Sequence, residues 1–111
     1  MPASLFHHLG GMQEEGYGTF IGEPQEIGLK VWLSGGKTMT NKKTWYAHLH
    51  KGKQYGRGYS LGKRELVEGN RYSVETWVGN RWAGRIHDLE WLIERFWPVP
   101  TWPEDRSKWT L

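Results

Sequence analysis

The chain contains no cysteine, which excludes disulfides, thiol nucleophiles, iron–sulfur clusters and cysteine-ligated zinc. Stability must come from packing, and a reducing compartment is permitted. Nor does any apolar run approach the roughly 20 residues that a membrane-spanning helix needs. Residues 1–11 have neither a cationic start nor an apolar h-region, so the expectation is a non-exported, cytoplasmic protein. Apolar residues are scarce as well: hydrophobic content is 37%, and much of it lies in eight tryptophans and five tyrosines, which predicts an aromatic-rich core. The 111 residues fit one domain, 1–111, with no internal repeat.

Carboxylates are missing from one long stretch. Residues 1–29 carry Glu14, Glu15, Glu23 and Glu26 and no Lys or Arg, whereas residues 30–64 carry nine Lys or Arg and no acid. From Glu65 onward eight acids and six bases are mixed. The net charge of +3 therefore hides a dipolar molecule, whose local field steers partners more than the total would. The positive face is where a partner is expected.

Residues 28–33 alternate, with Leu29, Val31 and Leu33 on one face and Lys30 and Trp32 on the other, and Ser34-Gly35-Gly36 closes the run. That is the period of a half-buried strand. Residues 44–50 repeat it, with Trp45, Ala47 and Leu49 facing a core and Thr44, Tyr46, His48 and His50 facing out. A third strand is expected over Tyr72–Val78, leading through Gly79-Asn80 into Trp82–Ile86 with Val78 paired to Trp82. A short helical turn over Ser4–Leu9 and a weak strand over Tyr17–Ile21 precede them. Asp88 can cap a helix whose Leu89, Leu92, Ile93 and Phe96 fall at i, i+3, i+4 and i+7, stopped by Pro98. The predicted fold class is α+β: a small twisted antiparallel sheet, or an SH3- or OB-like barrel, of four to five strands, with one C-terminal helix at about 88–97 and a Pro/Trp-rich tail.

In the basic stretch, rings are interleaved with cations. Trp32, Tyr46, Tyr55 and Tyr59 are placed to stack on bases, and Lys42, Lys43, Lys51, Lys53, Arg57, Lys63 and Arg64 to meet phosphate, with His48 and His50 on the same face. The expected role is non-catalytic binding of RNA or DNA through the face at 30–64. The competing bland reading makes the lysines a solvated face and the rings core. No RRM, KH, helix-turn-helix or zinc pattern accompanies the signal. Gly36-Lys37-Thr38 is not a P-loop, because Val31 stands where its first glycine belongs. His48 and His50 with His7, His8 or His87 permit a metal site only by geometry, without ligand spacing to support it. No metal, cofactor or catalytic residue is assigned.

Two further classes stay open. One is a small inhibitor or interaction protein, of the kind phages or mobile elements encode, that binds and blocks a host protein such as a nucleic-acid enzyme. The other, a minor one, is a metal-free ribonuclease using His48 or His50 with Glu65, Glu68 or Glu75 and Arg57. Tryptophan abundance also suits sugar stacking or a protein interface; Trp91 and Arg95, at i and i+4, and an outward Trp77 would mark a second partner surface.

Overall fold

The computed structural model describes residues 1–13, 15–17, 22–47 and 62–108, and among these it is helical, with no strand. The described residues form, in order, α1 (Ala3–His8), α2 (Glu23–Leu33), α3 (Lys63–Ser73) and α4 (Leu89–Arg95). A π-helical turn, Val74–Val78, continues α3 without a break, and a single 3₁₀ turn, Arg106–Lys108, lies in the C-terminal tail.

The expected sheet or barrel is thus overturned, and each misread segment has its own cause. Residues 28–33 belong to α2. Its inward stripe is Glu26, Lys30 and Leu33, at i, i+4 and i+7, flanked by Val31, and all four are buried. Half of those four are charged, so a search for apolar period 3.6 passes over them, while Leu29, Val31 and Leu33 imitate a strand. The Ser34-Gly35-Gly36 punctuation does mark an end, but that of a helix. Gly35 takes φ +85°, its N–H donates to Trp32 O at 3.0 Å, and Gly36 N–H donates to Val31 O at 2.8 Å. These bonds satisfy the orphan carbonyls of a helix terminus.

Residues 72–78 resemble a strand through Val74, Thr76 and Val78, whose branched side chains favour a pleated surface. Helix α3 nevertheless propagates through them, and the two bonds Gly79 N–H to Val74 O (3.0 Å) and Arg81 N–H to Thr76 O (2.9 Å) span five residues each. This is the π-helical pattern. Gly79-Asn80 accordingly closes a wide helical turn and not a hairpin, so the Val78–Trp82 pairing does not exist. Residues 82–86 are irregular. Of the expected strand at 44–50, residues 44–47 have no regular structure and Trp45 is exposed rather than in a core; 48–50 lie outside the described residues. Tyr17 is in no strand, and 18–21 also lie outside them.

The N-terminal and C-terminal helices follow their sequence signals. The Asp88 carboxylate accepts from Trp91 N–H at 2.7 Å, capping α4. Asn80, at φ +54°, accepts from Leu89 N–H through its side-chain oxygen at 3.1 Å and so holds the approach to that helix. Leu33 O accepts from both Ile86 N–H (2.8 Å) and His87 N–H (3.0 Å), which ties the end of α2 to the start of α4.

Among the described residues the apolar core is small: Leu9, Tyr17, Val31, Leu33 and Trp77. Trp77, expected to face outward, is only 3% exposed. Its indole N–H donates to the Tyr17 hydroxyl at 2.6 Å, and the Tyr17 ring packs edge-on against Tyr72 with centroids 4.8 Å apart. Gly22, at φ +91°, heads α2 beside this cluster; a Cβ there would lie 2.9 Å from the Tyr17 ring. The Lys30 ammonium sits between the Glu26 carboxylate (2.7 Å) and Gly11 O (2.8 Å), and Glu26 also accepts from Gln13 N–H at 2.8 Å. This buried pair clamps the segment after α1 onto α2. Among the described residues no helix is long and apolar enough to cross a membrane.

Candidate functional site

Lys30 is the first cation of the acid-free stretch, and its bonds to Glu26 and Gly11 commit it to the interior. Trp32, on the opposite flank of α2, is half-buried. Its ring meets Phe96 edge-on at 5.1 Å and lies under the Arg95 guanidinium at 5.6 Å, while its N–H donates to Thr38 Oγ1 at 2.8 Å. A ring with these neighbours braces α2 against α4. Its bond to Thr38 also fixes the root of an exposed arm.

Beyond Thr38 the chain has no regular secondary structure as far as residue 47 apart from a turn at Lys42-Lys43, where Lys43 N–H donates to the Asn41 side-chain oxygen at 2.9 Å. Every residue from Lys37 to Ala47 is exposed. The large side chains of this arm are open almost completely: Met39 90%, Trp45 84% and Tyr46 89%. Lys37, Lys42 and Lys43 stand among them. The arm therefore presents ammonium groups and uncovered rings together, close to one another in sequence and on one anchored segment.

At the other end of the acid-free stretch, Lys63 and Arg64 occupy the first turn of α3 and are exposed. Arg64 bonds Glu68 one turn on, at 2.9 Å, and that hydrogen bond and charge raise the affinity of its guanidinium for the proton. His48, His50, Lys51, Lys53, Tyr55, Arg57 and Tyr59 lie outside the described residues.

Sequence reasoning missed a second feature beside the arm. His87, Trp91 and Arg95 recur every four residues. The His87 imidazole stacks on the Trp91 indole at 3.7 Å with only 8° between the planes, and Arg95 stands over both Trp91 (5.5 Å) and Trp32 (5.6 Å). The spacing at i, i+4 and i+8 is the available signal, of which the Trp91–Arg95 pair is only half. The ladder fills itself, so it stiffens the base of the arm and offers little open ring face. Among the described residues, no three His, Asp or Glu side chains gather where they could hold a metal ion.

A hollow of about 280 Å³ is lined by Tyr72, Glu75, Thr76, Arg81, Trp82 and Ala83. Glu75 is bonded there by Arg71 (2.8 Å) and Arg81 (3.2 Å), so its charge is answered within the fold. Compared with protein-family models, with curated proteins and with solved structures, the chain matches none.

Proposed function

We propose that the protein is a non-catalytic binder of nucleic acid, RNA or DNA, that engages its ligand through residues 37–47 largely without sequence preference. The supporting observation is the exposure of Lys37, Lys42 and Lys43 beside Trp45 and Tyr46 on one anchored arm, in a stretch free of carboxylates. Lysines gain by releasing counterions from phosphate, and open rings gain by stacking on bases. Neither group contributes to packing in its present position. Lys63 and Arg64 add two exposed cations in the first turn of α3. A cytoplasmic location belongs to this proposal, since a cysteine-free chain works without an oxidising compartment.

The test is retention of labelled oligonucleotides by the full chain. Lys42→Glu with Lys43→Glu should abolish retention at moderate salt while moving the thermal midpoint by little, because exposed charges contribute roughly 0–1 kcal/mol to folding. Undiminished retention by this variant would exclude the arm as the contact surface.

Met39 favours a second reading on the same surface. A thioether exposed to 90% gains nothing from phosphate but packs well against an apolar protein face. A protein partner blocked by this chain, such as a nucleic-acid enzyme, would form a stoichiometric complex lost on Met39→Glu, and bare oligonucleotides would bind weakly.

A further inference from the structure

Resting on the nucleic-acid reading above, we infer that the arm selects single strands over duplex, because its two adjacent open rings are platforms for two unpaired bases. Trp45 and Tyr46 are neighbours on a segment that is not helical, so their rings offer separate surfaces, and at 84% and 89% exposure those surfaces are uncovered. In a duplex each base face is covered by the next base pair and only edges reach the grooves. A duplex therefore gives these rings nothing to stack on unless it is first unstacked. A single strand presents its base faces at no such cost, and every base has one, which makes the contact tolerant of sequence.

The charges suit the same ligand. Lys42 and Lys43 lie just before the rings, so phosphates flanking two splayed bases meet ammonium groups within the same short span, and Lys37 stands near the root. The root is fixed by the Trp32–Thr38 bond and by the packing of Trp32 under Arg95. The platforms thus hang from a braced helix pair. Three lysines on three phosphates of a single strand give a log–log salt slope of about −2, since each contributes about 0.7.

The experiment uses the full chain with three probes: a thymidine homopolymer of about 12 nucleotides, its duplex with the complementary strand, and heparin as a polyanion without bases. The expected result is a single strand held about tenfold or more tighter than duplex or heparin, with a salt slope of about −2. Trp45→Ala should weaken single-strand binding about tenfold with the slope unchanged, because it removes stacking and no charge. Lys42→Gln with Lys43→Gln, which removes two contacts without reversing charge, should instead bring the slope toward zero by about 1.4. An unchanged thermal midpoint for Trp45→Ala certifies its fold, as expected for a side chain so exposed. Equal affinity for strand, duplex and heparin, or indifference to Trp45→Ala, overturns the single-strand inference while leaving general polyanion binding. No retention of strand or duplex at about 50 mM salt overturns the nucleic-acid reading itself.

Discussion

Glu26 and Lys30 are both almost wholly removed from water, at 1% and 4% exposure, and each answers the other's charge as well as one backbone group. Removing one partner strands a charge and a backbone group in the interior. Glu26→Ala should therefore cost about 3–5 kcal/mol by urea unfolding. The double variant Glu26→Met, Lys30→Met should recover most of that loss, keeping only the penalty for Gln13 N–H and Gly11 O; if it is as unstable as the single one, the pair is not the cause. The Tyr17 phenol gives a pH signature. Burial raises its proton affinity above the ordinary value of 10.0, the Trp77 hydrogen bond opposes the rise and the Glu26 carboxylate adds to it. The folded form thus holds this proton more tightly than the unfolded chain. Its contribution is complete below about pH 10 and is lost as pH climbs through the folded value. Tyr17→Phe should cost about 1–3 kcal/mol at neutral pH, because the Trp77 N–H loses its acceptor, and stability should then fall less steeply above about pH 10 than in the wild type. Parallel alkaline limbs in the two proteins would show that Tyr17 does not set the slope.

At the scale of elements, α4 is a segment whose sequence and structure agree. Asp88→Ala should cost about 0.5–2 kcal/mol of thermal stability, since the carboxylate bond to Trp91 N–H caps the helix start. A change within a few tenths would mean that the tie between Leu33 O and the 86–87 amides holds this junction unaided. That helix is legible because a cap, an apolar stripe and a terminating proline all point the same way. Helix α2 is not, because its buried stripe contains an ion pair, and an interior Glu and Lys look like surface residues until their partners are known. The 72–78 segment misleads for a third reason: β-branched residues bias a chain toward strand only weakly, and extending the helix that begins at Lys63 costs less than starting a new element. The candidate arm is partly legible. Absence of acid from 30 to 64 locates the charge, and Tyr46 stands on the exposed arm, whereas Trp45, expected in a core, is open instead. Periodicity misplaces that ring because it presupposes a pleat that the arm lacks.

For the molecule as a whole, where a charge sits should count for more than how many there are. Lys42→Glu with Lys43→Glu lowers the net charge from +3 to about −1, since each reversal removes two units. Arg85→Glu with Lys108→Glu produces the same total from exposed positions away from the arm in sequence. Strand retention should disappear in the first variant and persist, somewhat weakened, in the second; equal loss in both would reduce the interaction to overall charge. The joint between Trp77 and Tyr17 carries a different consequence. It closes a span of 60 residues, so during synthesis Tyr17 lacks the indole that bonds it until position 77 has left the ribosome. Until then the emerging N-terminal half should remain open to proteases and chaperones, and a stalled chain ending before that tryptophan should be degraded rather than accumulate.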